Sequence, residues 1–260
     1  MNYYYLAASL IPIEFGDIPG LTFLDLIEKY RLNLTQGDMK QLETIRLFFD
    51  LENIKQLYTS RGSPASLDSR GNLSKKELKQ ALEDKNFFPE YVYDFLKQHE
   101  ANKDIVVHFS SLISAYFTQE ARKASGFLRQ YLEFERNWRL ILTGFRAKKL
   151  KRNLYKEFAF EEISDPVVSL IIAQKDSPYF ETPVGYEELN EMLLVVKDRP
   201  MYQYRYLAEF RFRKVREMAM HKPFTIDYLL AYAVRTTILE DLHALDEVKG
   251  QEILNSIVKD

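Results

Sequence analysis

The chain has 260 residues, a formal net charge of −2, and 46 % hydrophobic against 28 % charged residues, a balance that excludes disorder and gives no overall drive toward nucleic acid or anionic lipid. It contains no cysteine, which removes disulfides, thiolate nucleophiles and cysteine-held zinc or iron–sulfur centres. With only 9 Gly and 9 Pro, turns are few and elements long, so the composition predicts an all-α fold.

The amino terminus, Met1-Asn2-Tyr3-Tyr4-Tyr5 followed by Pro12, Glu14 and Asp17, has neither the basic start nor the apolar run of a signal peptide or anchor. Intracellular residence is the expectation. Residues 1–20 carry Pro12, Gly16, Pro19 and Gly20 and read as a lead segment turning into the first helix. From Asp38 to Ser60, Leu42, Ile45, Phe49, Ile54 and Leu57 recur at helical intervals, and Arg61 to Gly71 then reads as a loop. Ser74 and Glu77 have the spacing of a capping box, and a further helix is expected near Pro89.

Ile113, Phe117, Ala121, Ala124, Leu128, Tyr131, Phe134, Trp138, Ile141 and Phe145 follow one another at three- or four-residue steps without a proline. This pattern predicts a single helix of about 35 residues, roughly 50 Å long. Pro166, Pro178, Pro183 and Gly185 break residues 153–186 into short helices and a loop, and Glu187 to Val196 resumes a helical pattern. Tyr202, Tyr204, Tyr206, Ala208, Phe210 and Phe212 alternate as a strand would, but Leu207, Glu209, Arg211, Lys214 and Glu217 are good helix formers and favour a helix. Thr225 to Leu245 and Asp246 to Val258 read as two more helices. The longest apolar run, Val167 to Ala173, is far short of the ~20 residues that span a bilayer.

Candidate chemistry is sparse. Asp68 to Glu77 has a faint likeness to a calcium loop, but aligning Gly71 puts Ser66 at the leading acidic position and the cation Arg70 at a ligand position, so a loop with a capped helix is preferred. His99, His108, His221 and His243 have no metal-site or triad spacing, Asp165-Pro166 and Asp198-Arg199-Pro200 read as turns, and no phosphate-binding glycine motif is present. No catalytic, cofactor-binding or metal residues are assigned, and a non-enzymatic role is expected. The densest positive patch is Arg146, Lys148, Lys149, Lys151 and Arg152 at the end of the long helix. Its plain reading is a solvated complement to the helix dipole; its sharper one is a contact for an acidic partner, with nucleic acid the weaker candidate.

One phrase occurs twice. In Asp50-Leu51-Glu52-Asn53-Ile54-Lys55-Gln56-Leu57 and Phe134-Glu135-Arg136-Asn137-Trp138-Arg139-Leu140-Ile141, an Asn is followed by a large apolar residue, then a base, and later another aliphatic. Repeated units of this kind mark assemblies of helical modules, and Asn53 and Asn137 are read as structural corners. The repeated phrase, the Gly71 to Leu78 helix start and Leu82 to Leu96 with Phe88-Pro89-Glu90-Tyr91 are similar to the V-type ATPase family of C-type subunits, the d-type subunits of eukaryotic enzymes. Tyr3 to Leu10 and the tail Tyr228 to Ile257 more closely resemble a bacterial family of formerly unknown function encoded among V-type ATPase genes.

This resemblance implies one domain over 1–260, a funnel of three related helical modules at about 1–100, 101–190 and 191–260. It implies a non-catalytic rotor component, without cofactor, that joins the central stalk to the membrane rotor ring during rotary ion transport. The expected partners are stalk and ring subunits rather than nucleic acid, and the expected place is the cytoplasmic face of the membrane, held through the ring. Where a third acidic-Asn-basic phrase would stand, this chain offers Tyr232, Ala233 and Arg235. The alternative, of a different class, is a helical nucleic-acid-binding or regulatory scaffold using the same cations with exposed Tyr and Phe.

Overall fold

A computed structural model describes residues 2–60, 67–99, 101–177, 179–190 and 200–245. Among them the regular elements are helices without a strand, in agreement with the composition: α1 (Tyr4–Ala8), α2 (Phe23–Arg31), α3 (Gln36–Thr59), α4 (Lys75–Asp84), α5 (Glu90–Gln98), α6 (Asn102–Lys123), α7 (Gly126–Lys149), α8 (Leu154–Glu157), α9 (Pro166–Ala173), α10 (Pro200–Ala219) and α11 (Ile226–Ala244). No helix among the described residues is long and apolar enough to cross a membrane. The chain gathers into two compact units, residues 1–34 with 188–260, and residues 35–187. The module limit expected near 100 therefore falls inside the second unit, where α3 and α5 both pack on α6.

In the first unit α11 is the centre. Leu229 to Leu239 are buried without interruption, so this helix has no wet face over three turns and must be surrounded. The amino-terminal segment supplies part of that surround, and polar groups fix where it lies. The Tyr3 amide donates to the Phe224 carbonyl at 2.5 Å, the Tyr30 hydroxyl to the Leu229 carbonyl at 2.8 Å, and the Tyr232 hydroxyl to the Ile11 carbonyl at 2.8 Å. Burial pushes the Tyr30 hydroxyl well up from its ordinary pKa, which keeps it a neutral donor. At the start of α2 the Phe23 amide donates to Glu240 Oε1 at 2.6 Å, an anion placed where a helix leaves its first donors open.

Residues 202–212 lie in α10 as expected. Ala208, Phe210, Phe212 and Val215 face the core while Tyr202 stays exposed, which is how a helix carries an aromatic-rich sequence with strand-like alternation. The helix expected over 246–258 lies outside the described residues, as does most of 187–196, which is helical at 188–190.

In the second unit the single long rod is corrected to two helices. Ala124 and Ser125 are extended, with ψ of 162° and 173°, and Gly126 opens α7 at φ 58°. Positive φ is cheap only without a β-carbon, so Gly126 is where the chain can reverse. The helices then lie antiparallel: Thr118 and Ala121 share a cleft with Arg129 and Glu133, while Phe109 and Ile113 share another with Leu142 and Thr143. Both bury the same kind of apolar stripe, so the three- and four-residue spacing runs through the break without a sign of it.

Capping places the shorter helices. The Ser74 hydroxyl accepts from the Glu77 amide at 3.4 Å and Glu77 Oε2 from the Ser74 amide at 2.9 Å, which forms the expected capping box of α4. Asp165-Pro166, expected to be a turn, is instead the start of α9. Asp165 Oδ1 accepts from the amides of Val167 and Val168 at 2.9 and 3.2 Å, and Pro166 occupies the first helical position, where it needs no donor.

The fit of α9 against α7 is close. A β-carbon on Gly144 would sit 2.6 Å from Ile171 Cγ2 and 3.2 Å from Phe180. We therefore expect Gly144→Ala to lower stability by about 1–3 kcal/mol despite its better helix propensity, in urea unfolding. Adding Ile171→Ala should recover part of the loss; a stabilised single variant would show that the contact gives way freely.

Candidate functional site

One face of α3 carries Arg46, Asp50 and Asn53, at steps of four and three residues that align them along the helix. All three are buried. They reach the loop before α4. Arg46 Nε donates to the Arg70 carbonyl at 2.9 Å and its Nη2 to the Gly71 carbonyl. Asp50 accepts from Asn72 Nδ2 at 2.8 Å and the Leu73 amide at 3.2 Å. Asn53 uses both ends of its amide, donating to the Asp68 carbonyl at 2.9 Å and accepting from the Asp68 amide at 2.8 Å. Asn53 thus ties α3 to the Asp68 backbone at both ends of its amide.

Gly71 permits this clasp by its lack of a side chain. A β-carbon there would lie 2.5 Å from Asp50 Oδ1 and 3.1 Å from Asn53 Nδ2. Burial pushes the Asp50 carboxyl up, against the opposing pull of the Asn72 and Leu73 N–H groups and of Arg46. Burial also opposes ionisation of Asp68, but the Arg70 guanidinium and amide outweigh it and hold that carboxyl low. Arg70 forks onto Asp68, with Nη2 to Oδ2 at 2.7 Å, so the side chain at the supposed ligand position serves an internal ion pair. Ser66 lies outside the described residues, and no group of three acidic, His or Cys side chains able to hold a metal occurs among the described ones.

The second copy of the phrase pins a loop with different groups. Arg136 donates to Glu161 Oε2 at 2.6 Å and to Asp165 Oδ2 at 2.8 Å, so the carboxyl that caps α9 also answers to α7. Burial disfavours the Arg136 charge, yet the two carboxylates prevail and raise its pKa. Asn137, half-buried, hydrogen-bonds the Tyr186 hydroxyl, whose pKa burial pushes up to about 12.

The bases two positions after each Asn do the same work. Lys55 Nζ lies 4.8 Å from the centroid of the Phe109 ring, and the Arg139 guanidinium lies 5.0 Å from that of Phe117. Both rings belong to α6. Each base is therefore a cation–π clamp between its own helix and the same neighbour. Arg139 also lies 4.9 Å from the Phe48 ring and pairs with Glu135, which is buried.

The five cations at 146–152 are not equivalent. Lys148 turns inward and donates to the carbonyls of Gln174, Ser177 and Tyr179 at 2.7, 2.9 and 2.7 Å, spending its three N–H bonds on the chain after α9. Desolvation lowers its pKa. Its expected place in a partner-facing patch is thereby corrected: it anchors a loop. Arg146, Lys149, Lys151 and Arg152 are exposed, and Arg152 is 3.7 Å from Glu157. Sequence spacing does not distinguish the inward cation from the others, because the carbonyls it meets lie 26 to 31 residues further on.

Two open clefts flank Arg136, of about 760 and 610 Å³, bounded by α6, α7 and the segment around Phe160 and Glu161. Their charged side chains are largely matched, Arg129 with Glu133 at 2.9 Å and Arg136 with Glu161, while Arg146 stands at the rim of the smaller. The sequence reading also missed a stacked pair of imidazoles, His99 and His108, with ring centroids 4.6 Å apart. No interval of nine residues between a helix end and the next helix would signal it.

Residues 1–260 match a family described as a protein of unknown function, DUF2764, and the chain belongs to that family. It is 30 % identical to an uncharacterized protein of Chlamydia muridarum over 99 % of this chain and 98 % of the relative. Uncharacterized proteins of Chlamydia trachomatis and Chlamydia pneumoniae are 29 % and 30 % identical over 98 % and 100 % of this chain, and 97 % and 98 % of their own lengths. No solved structure matches it.

Two outcomes follow for the clasp. Asn53→Ala should cost about 1–3 kcal/mol in urea unfolding, because it leaves a buried amide and carbonyl unmet, whereas Asn137→Ala should cost less, since the Tyr186 hydroxyl can turn to water. Asp50 has a raised pKa, so its native form takes up a proton more readily than the unfolded chain. The stability of the wild type relative to Asp50→Asn should therefore rise as pH falls through the native Asp50 pKa toward the ordinary value of 3.8, and a difference that falls would contradict the assignment.

Proposed function

We propose that the protein is a non-catalytic adaptor of a V-type ATPase or ATP synthase rotor, linking the central stalk to the membrane rotor ring from the cytoplasmic side. The observation that carries this reading is the double use of one corner design. In both copies of the repeated phrase, a mid-helix polar face pins a loop that leads into a capped helix, α4 in the first copy and α9, beyond α8, in the second, and the base two residues after the Asn clamps a phenylalanine of α6. Repeated helical corners of this kind are what the resemblance to the C-type family implies, and they support the three-module, funnel-like arrangement as part of the same proposal. Mechanical transmission requires a body that resists bending, and interlocked helices with pinned loops supply it.

The partner surface proposed for this role is the exposed set Arg146, Lys149, Lys151 and Arg152 at the carboxyl end of α7. Lys148 is excluded because its ammonium is committed to three carbonyls. The test is co-purification from cells with stalk and ring subunits. Reversal of the four exposed cations to Glu should weaken that association by about tenfold or more while the helical content is kept. Unchanged association would reject the patch. A wild-type protein that recovers neither stalk nor ring subunits would reject the adaptor itself, and salt-sensitive oligonucleotide binding would turn the reading toward nucleic acid.

A further inference from the structure

A second site is marked in the first unit by a cation that has no counter-ion in contact among the described residues. Arg235, at the middle of α11, is only 8 % exposed, and its Nε is buried with no hydrogen-bond partner. Among the described residues its guanidinium is met only by ring faces, Phe212 with its centroid at 5.0 Å and Tyr232 at 5.9 Å. A guanidinium whose buried Nε is unmet is costly, since burial removes water and the rings supply little in its place. Burial lowers the Arg235 pKa, and Arg216 lowers it further, while Glu14 and the neighbouring tyrosines pull the other way.

The surroundings add positive charge rather than cancel it. Arg205, Phe212 and Arg216 are spaced by seven and four residues and share one face of α10. Phe212 packs edge-on to Phe15 at 5.8 Å, and the Arg205 guanidinium lies 5.7 Å from the Phe15 ring. The Glu14 carboxylate pairs with Arg216 at 3.0 Å. Two guanidiniums, Arg205 and Arg235, therefore flank the Phe15–Phe212 pair, and a third, Arg216, close enough to lower the Arg235 pKa, holds the Glu14 carboxylate.

We propose that Arg235, with Arg205 and Arg216 at its rim, binds an oxyanion supplied from outside the chain, a carboxylate or a phosphate group. The planar fork of a guanidinium matches two oxygens at once, and ring walls that exclude water strengthen such a bond. Arg235 gains the acceptors that the unliganded fold withholds. Glu14, whose side chain is largely exposed, can remain on Arg216 or swing away as the anion enters. This site does not rest on the rotor assignment, because it uses residues of the first unit alone.

The experiment compares thermal unfolding and calorimetric binding of the full chain with inorganic phosphate and with a glutamate-rich peptide, each against chloride at equal ionic strength. A Tm rise of a few degrees with either probe is expected for the wild type. A rise with phosphate alone points to a free phosphate, and a rise with the peptide points to an acidic protein segment. Arg235→Met should lose the rise and weaken binding by about tenfold or more, while being no less stable than the wild type without ligand, since methionine fills similar space with no buried charge. Should that variant fail to fold, Arg205→Gln, at an exposed position, should keep the fold and weaken binding several-fold. The absence of a rise with both probes would overturn the site, as would equal binding by folded Arg235→Met or, where that variant does not fold, by Arg205→Gln.

Discussion

The second unit depends on the demand of a buried polar stripe for partners. Arg46, Asp50 and Asn53 on α3 are removed from water, so each of their donors and acceptors must find a group of the chain, and the loop at 68–73 provides them. The loop in turn delivers Ser74 to the start of α4 with its capping box formed. On another side α3 packs Phe48 against Tyr116 and Phe117 of α6, and the Tyr116 hydroxyl donates to the Thr44 carbonyl at 3.0 Å. One helix therefore fixes a loop on one face and the α6–α7 hairpin on another. Satisfied polar groups at such a place specify a single arrangement, because any slip would leave several of them unpaired.

The repeat at α7 reaches a similar end with other chemistry. The Arg46 guanidinium, a carboxylate and an amide hold the first loop by its backbone and Asn72, whereas the Arg136 guanidinium holds the second through carboxylates, one of which also caps α9. What the copies keep in common is position: a polar side chain about one turn before or beside the Asn, and a base two residues after it lying over a ring of α6. Kinship by position rather than by identity explains how few residues the two phrases share. A pinned loop can be remade with any pair of complementary groups.

Much of this was legible from residue types. The all-helical fold, the Ser74 capping box, α5 beginning after Pro89 and the helical state of 202–212 follow from composition, caps and helix formers. What was not legible depended on contacts across sequence. Gly126 and Ser125 reverse the chain inside an unbroken apolar rhythm, and periodicity cannot register a break that preserves its phase. Lys148 was read with its charged neighbours because local charge does not show which ammonium meets carbonyls of a distant loop. Asp165-Pro166 is ambiguous by residue type, since Asp before Pro marks a helix start as well as a turn. Arg235 stands where the chain departs from the repeated phrase, and only its burial among rings shows that, among the described residues, its Nε lacks a partner.

The central claim is that the loop after α3 is part of the core, held by the clasp rather than resting on the surface. Native-state hydrogen exchange reads this directly at the Asp68 and Leu73 amides, which donate to Asn53 and Asp50. Exchange of both amides only through unfolding of the whole unit, with protection equal to that of the amides in the middle of α3, is the predicted result. Exchange at the rate of an open loop, while α3 stays protected, would contradict it.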